Sequence, residues 1–199
     1  MKFYLATGNR HKLEESLAIL SAANPDIRVE GADSVGGMPD VEENAVNFVE
    51  NARTKARALK RRVPDGAAVF ADDSGLCVDF LDGDPGVFSS RYAGTGASDE
   101  ANIRLLLNRL SGVPLAERTA HFRCVVVLLE SGGGEKVFDG RCPGRIAIEA
   151  TGRGGFGYDP IFLPSDFDVT FAELPAAEKN RVSHRACALR LLANWLTLG

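Results

Sequence analysis

Two adjacent carboxylates, Asp72 and Asp73, follow the apolar run Ala67-Ala68-Val69-Phe70-Ala71 and precede Ser74-Gly75 and a second apolar run, Leu76-Cys77-Val78. Neighbouring carboxylates repel unless a cation lies between or beside them, so a hard-metal site is the leading chemistry for the pair. The pattern predicts a buried strand that ends at the two acids and delivers them to the sheet edge, where open α/β sheets place ligands. The bland alternative is an Asx-type turn leaving a strand, with Ser74 and Gly75 as turn residues. Glu42 and Glu43 are further acids that could complete a cation site, or equally could sit at a helix start and favour its dipole.

Three other clusters carry chemical possibilities. Thr7-Gly8-Asn9 is a tight turn followed by Arg10, His11 and Lys12. A strand, a glycine turn and a helix N-terminus together hold anions through exposed N–H groups and the positive dipole end. The P-loop pattern G-x-x-x-x-G-K-[ST] is absent, which disfavours a Walker-type NTPase. Gly152-Arg153-Gly154-Gly155-Phe156-Gly157-Tyr158-Asp159-Pro160 packs four glycines into six positions, allowing close approach of backbone to a ligand. Its two embedded aromatics suggest a platform for a flat ring. His184 and Arg185 follow Ser183, read as the N-cap of the last helix, with Lys179 just upstream. Cations at that end of a helix call for a nearby anion or a hydrogen-bonding duty.

The positioning elements follow from periodicity. Lys2 to Ala6 reads as a strand, and the helix after it buries Leu13, Leu17 and Leu20. Asn24 to Asp40 is punctuated by Gly, Pro and Asp and reads as irregular or edge structure. A helix is expected from about Glu42 to Lys60, with Ala45, Phe48, Ala52, Ala56 and Leu59 as its buried stripe. Leu81 to Ser98 is too rich in Gly and Pro for a regular element, and its apolar content marks a functional loop rather than disorder. Ser98 caps the next helix, which buries Ile103, Leu106, Leu107 and Leu110. Thr119–Leu129 and Glu135–Arg141 form a hairpin through Ser131-Gly132-Gly133-Gly134. His121 reads as structural or solvent-facing.

At 199 residues, 45% hydrophobic and 25% charged, the chain suits a single domain, 1–199, with a substantial core. A formal charge of −4 argues against binding along a nucleic-acid polymer or an anionic membrane. Cys77, Cys124, Cys142 and Cys187 are scattered in apolar contexts and read as core residues of a reducing, cytoplasmic protein. No signal peptide and no membrane span is expected.

Taken together, Thr7-Gly8-Asn9-x-x-Lys12, Ala71-Asp72-Asp73-Ser74-Gly75-Leu76, Gly155-Phe156-Gly157-Tyr158-Asp159-Pro160-Ile161-Phe162 and Ser183-His184-Arg185-x-x-Ala188-Leu189 closely resemble the inosine/xanthosine triphosphate pyrophosphatase family. The similarity runs from end to end and takes in Phe48-x-Glu50-Asn51-Ala52 and Pro85-Gly86-Val87-x-Ser89-x-Arg91-Tyr92-Ala93-Gly94. The resemblance implies an elongated α/β fold, a mixed β-sheet with flanking helices and two lobes around a central nucleotide-binding cleft, usually as a homodimer. It implies Mg²⁺-dependent hydrolysis of ITP, dITP and XTP to the monophosphate and pyrophosphate. Asp73 would be the proton acceptor and a metal ligand, Glu42 the other principal ligand, and Lys12 a catalytic cation. Thr7, Gly8, Asn9, Arg10, His11 and Lys12 would hold the triphosphate. Ser74, Phe156, Gly157, Tyr158, Asp159, Lys179, His184 and Arg185 would contact the rest of the nucleotide. The chain departs from the family at Glu43-Asn44-Ala45, where many members have Glu-Thr-Gly, and at Phe88, where Tyr is common. The alternatives are another Mg²⁺-dependent nucleotide hydrolase on the same scaffold and a nucleotide sensor that does not hydrolyse.

Overall fold

The computed structural model describes residues 2–42 and 45–198. Strands β1 (Lys2–Leu5), β2 (Arg28–Gly31), β3 (Ala68–Val78), β4 (Thr119–Leu129), β5 (Glu135–Ile146) and β6 (Phe162–Pro164) form one sheet in the order β2-β1-β3-β4-β5-β6. β1 is parallel to β2 and to β3, whereas β5 and β6 are antiparallel, so the sheet is mixed. Helices α1 (Arg10–Ala23), α2 (Phe48–Lys60), α3 (Asp99–Arg109), α4 (Ala176–Val182) and α5 (His184–Leu198) flank it. The α/β class with a mixed sheet is as expected.

The order β2-β1-β3 carries a functional consequence. From β1 the chain crosses through α1 to β2, then returns through α2 to β3 on the other side of β1. The carboxyl end of β1 is therefore a topological switch point, where loops diverge and leave a crevice. The amide of Ala6 still donates to the Phe70 carbonyl at 2.8 Å. Asp72 and Asp73 thus lie just beyond the last β1–β3 pairing.

Compactness divides the chain into two units. The first comprises residues up to Asp73, Cys124–Gly140 and those from Arg185 on; the second comprises Ser74–Arg123 and Arg141–His184. In the first, the pleat sends alternate β3 residues to opposite faces. Phe70 joins Phe3, Leu5, Leu20, Leu189 and Leu192, whereas Val69 and Ala71 join Tyr4, Ala56 and Leu59. Each fully buried Leu or Phe here contributes about 1.5–3 kcal/mol. In the second, Leu76, Leu106, Leu110, Phe122, Phe162 and Phe171 form the core. Arg118 is buried there and donates to the carbonyls of Leu110 at the end of α3, of Val113, and of Ala147 just after β5.

Several expected boundaries shift. β3 does not stop at the acids but runs through them to Val78, because Ser74-Gly75 takes extended rather than turn geometry. α2 starts at Phe48, not Glu42, since Asn47 caps it by accepting from the Glu50 amide at 2.9 Å. The 81–98 stretch holds a 3₁₀ turn over Gly86–Arg91. The 24–40 segment, expected as irregular or edge structure, carries the edge strand β2, and β5 extends to Ile146.

Candidate active site

The first unit gathers one cluster of the expected residues at the switch point. Asn9 caps α1, its side chain accepting from the Lys12 amide at 3.2 Å, and its own amide donates to Thr7 Oγ1 at 3.1 Å. Gly8, Asn9, Arg10 and His11 are exposed, and Arg10 pairs with Glu14. The first turn of α1 therefore places exposed residues at the positive end of the helix dipole, with the Lys12 amide held by the Asn9 cap and the Lys12 side chain turned toward Asp72. Lys12 Nζ lies 3.0 Å from Asp72 Oδ2, and Arg185 Nη2 approaches the same oxygen at 3.1 Å. Arg185 is itself buried and also pairs with Glu15.

Asp73 points to the opposite face. Its Oδ1 is 2.7 Å from Lys55 Nζ and its Oδ2 accepts from Asn51 Nδ2 at 3.1 Å. The expectation that Asp72 and Asp73 jointly grip one cation from a strand end is corrected here. The pleat separates them, and each carboxylate has its own cationic partner. Asn51 and Lys55 were not expected site residues. Their signal lay in the sequence: an Asn and a Lys at i and i+4 beside the buried Ala52/Ala56 stripe of a helix can be buried only if the Asn finds a hydrogen-bond partner and the Lys an opposite charge.

Electrostatics differ sharply within this cluster. Burial alone would raise the Asp72 pKa, but the charges of Lys12, Arg185 and Lys55, with the Lys12 hydrogen bond, overcome it and hold the carboxyl well below the usual range. Burial pushes the Cys124 thiol up, and the Asp72 charge 3.8 Å away adds to the rise. A thiol so suppressed is no nucleophile. Glu42 is exposed in the irregular segment before α2, so it has no first-turn role; Glu43 and Asn44 lie outside the described residues. Among the described residues no group of three metal-ligating side chains converges.

The second unit holds the other cluster. Asp159 is buried, its Oδ2 lying 2.5 Å from Lys179 Nζ on α4 and accepting from the Phe156 amide at 2.9 Å. The Lys179 ammonium stands 4.8 Å from the centroid of the half-buried Phe156 ring. The Gly157 amide donates to Asp99 Oδ2 at 2.7 Å, and the Tyr158 hydroxyl donates to the Ser89 carbonyl at 2.8 Å. Burial pushes the Tyr158 phenol up, reinforced by Tyr92 and Asp99, so it acts here as a neutral donor. His184 is buried with its ring stacked on Phe122, centroids 4.6 Å apart. Ser74 is half-buried on β3.

The glycine-rich loop serves the protein's own packing more than expected. A Cβ at Gly154 would stand 2.9 Å from the Ala172 carbonyl oxygen, and one at Gly152 would stand 2.6 Å from the Ala172 carbonyl carbon. Gly155 has φ +72°, and its Cβ would fall 1.9 Å from Asp159 Oδ2. Asp159 cannot swing aside without leaving both Lys179 and the Phe156 amide. Gly155→Ala is therefore expected to destabilise by about 2–3 kcal/mol, from left-handed strain plus a disturbed buried pair. Urea unfolding checks this, and a loss below about 0.5 kcal/mol would show that the pair relaxes freely.

The Ham1 family model matches residues 3–195 of the chain. The dITP/XTP pyrophosphatase of Opitutus terrae is 52% identical over 200 residues, covering 98% of each chain. That of Streptomyces avermitilis is 46% identical, covering 96% of this chain and 94% of its own. Among solved structures, a HAM1 protein from Coxiella burnetii superposes with TM-score 0.87 at 39% identity over the full length of both chains. The Staphylococcus aureus Ham1 protein does so with TM-score 0.85 at 39% identity, covering 99% of this chain and 98% of its own. Sequence and backbone agree from β1 through α5, and the chain belongs to the Ham1 family.

Proposed function

We propose that this protein is a Mg²⁺-dependent pyrophosphatase that cleaves ITP, dITP and XTP between the α and β phosphates, releasing the monophosphate and pyrophosphate. The observation that carries the reading is Asp73, buried midway along β3 with Lys55 and Asn51 on its two oxygens. It lies just past the β1–β3 pairing that leads into the exposed start of α1. The relatives named dITP/XTP pyrophosphatase support the substrate class.

In this reading Lys12 and the first-turn amides of α1 hold the phosphates. Lys55 and Asn51 fix the orientation of the Asp73 carboxylate. A carboxylate offers about four acceptor positions, so these two bonds are compatible with a third to water. As the water oxygen bonds to the α-phosphorus, its proton passes to Asp73, the bond to the bridging oxygen breaks, and the electron pair leaves on pyrophosphate. Asp73 and exposed Glu42 are oxygen donors of the kind Mg²⁺ accepts, and Mg²⁺ is commonly held by one or two carboxylates plus substrate phosphates. When bound, the ion neutralises the triphosphate.

Phe156 stacks on the purine, supplying affinity without telling bases apart. The 6-keto group of hypoxanthine or xanthine accepts hydrogen bonds, and Lys179, His184 and Arg185 carry donors, with Lys179 paired to Asp159 and Arg185 to Asp72 and Glu15. Adenine would set donor against donor, a mismatch able to discriminate by about 10⁴–10⁵. The Phe156 and Gly157 amides, although donors, are engaged by Asp159 and Asp99. The family resemblance also leads us to read the protein as a cytoplasmic homodimer, which sedimentation would check. No helix among the described residues is long and apolar enough to cross a membrane.

The test is incubation with Mg²⁺ and ITP, XTP, GTP, ATP or dUTP, measuring pyrophosphate against orthophosphate. Pyrophosphate without orthophosphate from ITP and XTP, at least about 10²-fold faster than from ATP, is expected. Orthophosphate release, equal turnover of ATP, or tight binding with no turnover would each overturn the proposal.

A further inference from the structure

Phe156 lies between two peptide N–H groups, its own and that of Gly157, and each is held by a carboxylate. The Phe156 amide donates to Asp159 Oδ2 at 2.9 Å and the Gly157 amide to Asp99 Oδ2 at 2.7 Å. The two anchors differ in kind. Asp159 is buried, paired with Lys179 and part of the glycine-loop motif. Asp99 is exposed, belongs to no motif of the loop, and sits at the first position of α3, behind the Ser98 cap that accepts from the Ala101 amide. An acid there has an ordinary explanation in the helix dipole, but that explanation does not require its carboxylate to reach a backbone amide 58 residues away.

The bond matters because Gly157 has φ +60°, a conformation glycine occupies without preference over its mirror. Left alone, the Phe156–Gly157 peptide can rotate and carry the Phe156 ring with it. Held at both amides, the peptide is fixed, and Phe156 is presented in one orientation. An ionised carboxylate accepting from a backbone N–H is among the stronger hydrogen bonds. The Tyr158 hydroxyl on the Ser89 carbonyl secures the next residue to the same 85–102 stretch, while the Ser89 side chain accepts from the Leu76 amide and donates to the Gly86 carbonyl. The loop between β3 and α3 thus serves as the frame on which the glycine loop is hung.

We propose that Asp99 is a positioning residue for nucleotide recognition: through the Gly157 amide it orients the Phe156 ring as the surface that receives the purine. This rests on the reading of Phe156 as the stacking residue. An oriented ring receives the base without first being ordered, so losing the anchor should weaken binding and leave the bond-breaking step alone.

The experiment measures KM and kcat for ITP in Asp99→Ala, Asp99→Asn, Phe156→Ala and the Asp99→Ala/Phe156→Ala double variant. Asp99→Ala should raise KM about tenfold with kcat within about twofold. Asp99→Asn, which still offers an acceptor oxygen, should recover most of the loss. In the Phe156→Ala background, removing Asp99 should add less than about twofold, because the ring it orients is gone. A general loosening of the fold would instead lower kcat, resist rescue by Asn and persist in the double variant; any of these overturns the proposal. If Phe156→Ala leaves KM unchanged, the stacking reading falls and takes this one with it. If Phe156→Ala raises KM but Asp99→Ala does not, only the role of Asp99 is lost.

Discussion

Asp73→Asn should lower kcat for pyrophosphate release from ITP by about 10²–10⁴, the range that a positioned general base supplies, while the dissociation constant for ITP changes by less than about tenfold. The substitution is nearly isosteric, and Asn retains an oxygen for either Lys55 or Asn51, so the pocket keeps its shape. What it loses is the ability to take a proton. It also leaves Lys55 facing a neutral amide where a carboxylate stood 2.7 Å away, so some stability goes as well, and the assay belongs well below the variant's melting temperature. Calorimetric titration with ITP in the absence of turnover separates binding from chemistry. A variant that keeps more than about a tenth of wild-type kcat would remove Asp73 from the role of base, whatever its binding.

Much of the second cluster was legible in the chain because its residues are consecutive. Phe156, Gly157, Tyr158 and Asp159 sit in one loop, and any fold that forms the loop brings them together. The reason for its glycines was less legible, since Ala172 and the Asp159 carboxylate that forbid a Cβ at Gly152, Gly154 and Gly155 are contacts only the folded chain reveals. The first cluster shows the opposite limit. Lys12, Asp72 and Arg185 are separated by long stretches of sequence, and their convergence depends on β3 continuing past its pairing with β1. A Ser-Gly after two acids reads locally as a turn, yet apolar Leu76, Cys77 and Val78 on the far side let the strand persist, and tertiary packing overrides the local signal. The start of α2 failed similarly: acids at 42 and 43 resemble a helix start, but Asn47 is the stronger cap. Asp99 could not have been found from its neighbourhood, because the dipole already accounts for an acid there.

Strand geometry makes the two neighbouring acids answer differently to substitution and to pH. Asp72 Oδ2 is the shared counter-charge of Lys12 and Arg185, and all but a few per cent of Asp72 and Arg185 is inaccessible to water. Asp72→Asn would remove the negative charge at the oxygen that Arg185 and Lys12 share. Removing one member of a buried pair typically destabilises by about 3–5 kcal/mol, because the remaining charge is stranded rather than resolvated. A loss near 3 kcal/mol is expected, since Glu15 still offsets part of the Arg185 charge. The pH dependence has a definite sign. Lys12, Arg185 and Lys55 outweigh burial and hold the Asp72 carboxyl well below its unfolded value of about 3.9. The unfolded chain therefore binds the proton first, and the Asp72 contribution is fully present above about pH 5 and lost progressively as pH falls below the unfolded value. Subtracting the unfolding free energy of Asp72→Asn from that of wild type across pH 2–7 should give a difference that is flat at the neutral end and shrinks toward acid. A difference independent of pH would mean that the carboxyl titrates alike in the folded and unfolded chain, and one that grew toward acid would mean that it is protonated in the folded protein; either would overturn the three-cation account of Asp72.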